Sequence, residues 1–364
     1  MRDTLIVRLP NWLGDTVMAV PALRALRAAR PDARVALVGP WATLLAGQGL
    51  ADVLVPYARS WGARLAKWDE VRALAAAEAI LLPSSFESAL AAWYWKASRR
   101  VGFDAGGRRA LLTDAIPVPA PREHQIDEYA LVVAGLDVEV PDRVPRLTPP
   151  ADESPERSTI RRLLAEAGAA RDGHPIVGIH LGAAYGPSKL WPRERVAELC
   201  RMLSAGGEIP LLLGTGDDRV AAERIAGETS ARSLVGRDRP ELLPALLAEL
   251  DALVCGDTGV GHLAAAGGTP VVALFGPTDP RLSAPRGPVR VITHPVACAP
   301  CFYRACPIEH PCLRGIDAAA VADTLAALKS TRRVSRSATA LPGRDEGPGA
   351  WGPRRGPHGI DTRG

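Results

Sequence analysis

No stretch of this sequence is long and apolar enough to cross a bilayer, which takes roughly 18–20 residues in a row. The first ten residues also lack the longer apolar core and small-residue cleavage site of a secretory leader. A soluble, cytoplasmic chain is therefore expected. Charge imbalance is slight: 44 Lys and Arg face 40 Asp and Glu, a net +4. A dedicated nucleic-acid binder carries a denser basic stripe, so no nucleic acid is expected as a partner. A local basic patch facing an anionic substrate remains open. Aromatic residues make up only 5% of the chain, yet 8 Trp occur and several stand beside motifs described below.

What is present suits two domains. The chain has 364 residues, 47% hydrophobic and 23% charged, enough for two sizeable cores. Apolar strands are expected at 5–9, 35–39, 53–55 and 79–82, with helices at 17–29, 41–48 and 87–97. Proline and charge crowd the segment 137–157, which reads as a linker. The rhythm then restarts, with strands at 175–180, 209–213, 253–255 and 271–275. Helices are expected at 158–167, 193–203, 217–226, 262–266 and 317–328. Strands alternating with helices imply parallel, doubly wound sheets. The expected domains are 1–150 and 151–330, with a cleft between them. The Arg/Gly/Pro-rich segment 331–364 is expected to be disordered.

Parallel sheets of this kind bind ligands outside the carboxyl ends of their strands. Four strand-end loops carry chemistry. The first is Asn11-Trp12-Leu13-Gly14-Asp15. Asp15 can cap the next helix or, facing the cleft, accept a proton from an attacking hydroxyl. The second runs from His180 through Gly182 and Gly186 to Lys189, Leu190, Trp191 and Pro192. Lys189 is a solvated side chain or a point charge for a phosphate. In the third, Gly214-Thr215-Gly216-Asp217-Asp218, a carboxylate caps the helix or binds ribose hydroxyls. The fourth is Asp257-Thr258-Gly259-Val260-Gly261-His262. Its glycines and the following helix N-terminus suit a diphosphate. It also matches a dinucleotide fingerprint, with Asp279 as the acidic follower, which keeps an NAD-dependent dehydrogenase as a rival. A non-catalytic nucleotide-binding protein is a second rival.

Three of these segments together resemble the ADP-heptose:lipopolysaccharide heptosyltransferases of glycosyltransferase family 9, most like heptosyltransferase II. They are Asn11 to Asp15 with Pro21-Ala22-Leu23, Gly182 to Pro192, and Asp257 through His262 into Phe275-Gly276-Pro277-Thr278-Asp279-Pro280. The segment from Cys298 to Cys312 also resembles that family, and the likeness spans roughly residues 4–329. The resemblance implies an α/β GT-B architecture of two Rossmann-like domains, with a last helix crossing back to the first. It implies inverting transfer, independent of any metal or other cofactor. The implied donor is ADP-L-glycero-D-manno-heptose, and the implied acceptor is the anionic lipopolysaccharide inner core. An acceptor of that kind implies peripheral contact with the inner-membrane surface. Another nucleotide-sugar is the alternative donor. By position, Asp15 is implied as general base and Lys189 as the phosphate-binding catalytic Lys. His180, Gly182, Asp218, Asp257, Thr258, Gly259, Gly261 and His262 are expected at the donor. Asn11 and Gly14 are expected at the acceptor.

A basic run of Lys96, Arg99, Arg100, Arg108, Arg109 and Arg122 can meet acceptor carboxylates and phosphates. Of these, Arg99 and Arg100 are singled out for acceptor binding. Otherwise the run is a solvated face. Four of the 6 Cys lie within 298–312. Cys298, Cys301, Cys306 and Cys312 have the spacing C-x2-C-x4-C-x5-C, whose opening pair is half of a common structural zinc site. Free thiols are the alternative.

Overall fold

The computed structural model of the protein describes residues 3–58, 60–237 and 239–339. Six parallel strands form the first sheet: β1 (Thr4–Arg8), β2 (Arg34–Gly39), β3 (Val53–Pro56), β4 (Glu78–Leu81), β5 (Arg99–Phe103) and β6 (Asp114–Ile116). Six more form the second: β7 (Ile176–His180), β8 (Ile209–Leu213), β9 (Arg232–Ser233), β10 (Ala252–Gly256), β11 (Val271–Phe275) and β12 (Val289–Thr293). The spatial orders are β3-β2-β1-β4-β5-β6 and β12-β11-β10-β7-β8-β9. Each half thus repeats the doubly wound order, with its reversal between β1 and β4 or between β7 and β10. Burial explains the unbroken apolar runs. Every residue of β1, β10 and β11 is buried, as helices on both faces of a parallel sheet require.

Several elements differ from expectation. The helix expected at 17–29 is two helices, Leu13–Met18 and Val20–Ala29, meeting at Ala19. Pro21 stands at the start of the second, where its missing N–H costs nothing. Pro155 likewise opens the helix Pro155–Glu166, capped by the Ser154 hydroxyl, and does not belong to the linker. The rest of the linker is not a detached tether. Val138, Val140 and Leu147 are buried in a cluster that also holds Val17 from the first half and Leu263 from the second. The last helix, Ala318–Thr339, runs nine residues beyond the expected start of disorder, and 340–364 lie outside the described residues. The described side chains of that helix pack on the second half. Val321, Leu325 and Leu328 pack with Leu199 and Leu203 of the second, and Lys329 pairs with Glu208.

The halves meet directly. The start of the helix Leu13–Met18 abuts the start of the helix Gly259–Ala266. A methyl placed on Gly259 would lie 2.7 Å from the Gly14 nitrogen, and one on Gly14 would lie 3.0 Å from His262 Cδ2. Only residues without side chains allow this approach. Nearby, Arg286 of the second half grips Asp127 of the first at 2.5 Å, and His124 Nε2 lies 3.0 Å from the Ala284 carbonyl.

Candidate active site

Because β1, β7 and β10 end at the same cleft, their loops converge. Asp15 is the third residue of the helix Leu13–Met18, and Trp12 occupies the N-cap position. Among the described residues no hydrogen bond ties down the Asp15 carboxylate. Its surroundings hold its pKa up at about 6, chiefly through burial, then through the Asp257 charge, with Lys189 offsetting part of the rise. Two of these influences come from the opposite half. Behind Asp15 lies the buried Tyr129, whose phenol is raised well above its ordinary range by burial and by Asp15 itself.

Across the cleft, Lys189 ends the short turn Pro187–Lys189 and forms an ion pair with Asp257. Both side chains are about nine-tenths buried, at 10% exposure each. Thr278 donates its hydroxyl to Asp257 Oδ2 at 2.7 Å, and the Lys189 ammonium lies 4.5 Å above the Tyr185 ring. Thr258 is the N-cap of the helix Gly259–Ala266, so the positive end of that helix faces the same space. His262 is buried, and its pKa falls to about 4, mainly through loss of hydration, so it is neutral near pH 7. A mobile-proton base, a fixed cation and a helix N-terminus therefore share one cleft, with the base on one half and the anion-binding groups on the other.

The remaining expected residues divide. Asn11 is anchored where expected, its side-chain oxygen accepting from Arg8 at 2.8 Å. Arg8 is fully buried beneath the loop, with Glu87 at 3.9 Å. His180 ends β7, and its Nδ1 is buried without a partner among the described residues. Gly182 is needed because a methyl there would fall 2.6 Å from Asp218 Oδ2. That oxygen of Asp218 accepts from Thr215 N at 2.8 Å and Thr215 Oγ1 at 3.2 Å, so the cap reading holds for it. Gly261 backs onto Cys255, where a methyl would meet the sulfur at 2.7 Å. It therefore serves packing.

The basic run is a correction. Arg99 and Arg100 open β5, at the end of the sheet away from the cleft. Arg99 is held by Asp114 and Arg100 by the carbonyls of Leu111 and Ala97. Arg108 is fully buried and donates to Phe103, Pro83 and Ser88. Arg109 pairs with Asp104 and Arg122 with Glu128. No common face results.

The cysteine segment is the other departure. Cys298, Cys301, Cys306 and Cys312 are all free thiols. Among the described residues no three His, Cys, Asp or Glu side chains converge as a metal-binding group. The loop instead backs the donor side. The Tyr303 carbonyl accepts from Ser188 Oγ at 2.5 Å, the Arg304 carbonyl from Ser188 N at 3.1 Å, and the Pro277 carbonyl from Cys301 N at 3.0 Å. These bonds brace the turns that carry Lys189 and Thr278. Thr278 and Tyr185 lie inside segments that carry the resemblance, but an uncharged side chain in a loop gives no reason to assign either a role. Asp279, the acidic follower of the dinucleotide fingerprint, caps the short helix Pro280–Ser283 and pairs with Arg281.

Comparison with known proteins agrees with this architecture. The model of glycosyltransferase family 9 (heptosyltransferase) matches residues 64–311. Lipooligosaccharide heptosyltransferase 2 of Haemophilus ducreyi is 29% identical over 299 residues, covering 78% of this chain and 86% of the relative. Lipopolysaccharide heptosyltransferase 2 of Salmonella typhimurium is 28% identical over 302 residues, covering 77% and 85%. The structure of the E. coli ADP-heptose LPS heptosyltransferase II superposes with a TM-score of 0.76 at 26% identity, covering 92% of this chain and all of that one. The two-sheet architecture is therefore GT-B, and the chain belongs to glycosyltransferase family 9, the heptosyltransferases, and is a glycosyltransferase.

Proposed function

We propose that the chain transfers heptose from ADP-heptose to the inner core of lipopolysaccharide, with inversion at the transferred carbon. The observation that carries this is the division of labour across the cleft. Asp15, without a side-chain hydrogen bond among the described residues and with a pKa of about 6, belongs to the half taken as 1–150. Lys189, Asp257 and the helix Gly259–Ala266 belong to the half taken as 151–330.

In this reading the donor diphosphate displaces Asp257 as the partner of Lys189. Its oxygens also meet the N-terminus of the helix Gly259–Ala266. Asp15 takes the proton from the acceptor hydroxyl as that oxygen attacks the sugar carbon. The carbon–oxygen bond to the diphosphate breaks on the opposite face, and ADP leaves as an anion held by Lys189. Neutral His262 sits between Gly14 and the donor loop and positions the two halves. Gly182 and His180 shape the far wall of the donor pocket. Asn11, fixed by Arg8, lies on the acceptor side. Zinc on the four cysteines is no part of this reading. The acceptor is amphiphilic, so the protein works at the cytoplasmic surface of the inner membrane.

The test is transfer from ADP-heptose to a core carrying one heptose, measured as ADP release. UDP-sugars and NAD serve as controls. Asp15→Asn is expected to lower the rate by about 10²–10⁴-fold. Turnover at the parent rate in that variant, or equal turnover with a UDP-sugar, would overturn the reading.

A further inference from the structure

The helix Phe86–Tyr94 is built inside out. Its inward face is made of the small residues Ser88, Ala89, Ala91 and Ala92, all fully buried. Its large apolar residues point outward. Phe86 is 50% exposed and Trp93 is 56% exposed, with half-buried Leu90 between them. The spacing of four and three residues puts all three on one stripe, roughly 10 Å long at 1.5 Å per residue. On the neighbouring helix Trp61–Arg72, Leu65 adds a further exposed apolar side chain, at 42%. A helix face of this kind is paired with something in use.

The charges around the stripe favour an anionic partner. Asp69 accepts from the Tyr94 hydroxyl at 2.6 Å, Glu70 pairs with Lys67, and Glu87 pairs with Arg64. Arg72, stacked 5.3 Å over the Tyr94 ring, and the exposed Lys96 have no acidic partner among the described residues. Aromatic side chains flanked by unpaired cations fit the boundary between headgroups and acyl chains of an anionic bilayer.

Position ties the stripe to the site. The helix begins at the carboxyl end of β4, the immediate neighbour of β1. Buried Arg8 contacts Asn11 of the acceptor loop and Glu87 of this helix. The stripe therefore starts at the cleft mouth, on the side of Asp15. We propose that Phe86, Leu90 and Trp93, with Arg72 and Lys96, dock the protein on an anionic lipid bilayer, so that a lipid-anchored acceptor enters the cleft from the membrane. This deepens the proposed function and rests on it for the nature of the acceptor.

The experiment is flotation of the full chain with vesicles of phosphatidylethanolamine and phosphatidylglycerol, against phosphatidylcholine vesicles. The parent is expected to float with the anionic vesicles only. The double variant Phe86→Ser/Trp93→Ser is expected to bind them about tenfold less or weaker, with unchanged circular dichroism and melting. Arg72→Ala/Lys96→Ala is expected to lose most of the preference for anionic lipid. Transfer to a deacylated, water-soluble acceptor is expected to survive in both variants, while transfer to acceptor embedded in vesicles falls. Absent vesicle binding by the parent, equal binding by the first variant, or a parent dimer that this variant splits into monomers would each overturn the docking surface. Failure of the parent on the soluble acceptor would strike the proposed function instead, and leaves vesicle binding as a separate readout.

Discussion

Replacing Asp15 by Asn separates catalysis from stability in one variant. The carboxyl has a pKa of about 6 in the folded protein against an ordinary value of 3.8. A raised acid contributes its stability below the unfolded value and loses it as pH climbs through the folded one. At pH 8 the charged Asp15 therefore weighs against the fold. The gap of about two units, at about 1.4 kcal/mol each, sets that cost at about 3 kcal/mol at most. Asp15 is partly exposed along the cleft, which draws the figure down. Asn cannot ionise and escapes the cost. Thermal denaturation should accordingly show Asp15→Asn melting several degrees above the parent at pH 8 and level with it at pH 4. The same variant should lose about 10²–10⁴-fold in transfer rate. In the parent, kcat/KM should fall tenfold per unit below about pH 6. The donor brings further negative charge, so the limb for kcat should lie at or above that for kcat/KM. A limb near pH 4, or a variant no more stable at pH 8 than the parent, would refute the assignment of Asp15 as a perturbed base.

Four further outcomes are expected. Lys189→Ala should raise KM for the donor at least tenfold, a charge-assisted contact to phosphate being worth about 1.5–3 kcal/mol; an unchanged KM places the diphosphate elsewhere. Gly259→Ala forces the helix starts apart, and differential scanning calorimetry should register a loss of about 1–3 kcal/mol, together with lower kcat; a variant as stable and active as the parent would mean the contact is loose. Arg99→Ala and Arg100→Ala should leave the KM for acceptor within twofold, since both residues lie at the far end of the sheet; a large rise would restore them to the acceptor site. Replacing 301–304 by Gly and Ser should raise donor KM, because the loop braces Ser188 and Pro277; steady-state kinetics with saturating acceptor decides this.

The legible part of this protein was local. Gly14-Asp15 and the segment from Asp257 to His262 each place a glycine turn and a functional group within a few residues, so spacing alone points to them. Parallel pairing also followed from the alternation, although β6 and β9 are too short to carry a pattern and the helix Trp61–Arg72 lacks a clean apolar period. Charge was the poor guide. Arg99 and Arg108 are ordinary basic residues in sequence, yet one opens a strand away from the cleft and the other is wholly buried on carbonyl oxygens. Asp218 was ambiguous for the same reason, because capping and ribose binding call for the same carboxylate. The bracing of Lys189 by the loop at 301–304 joins segments more than a hundred residues apart, which no spacing reveals.

The touch of Gly14 on Gly259 also sets a spacing. Two helix ends pressed backbone to backbone can come no closer, and a side chain at either position would push them apart. Asp15 is the residue next to Gly14. Its separation from the donor loop is therefore fixed by bare backbone and not by side chains that can change rotamer.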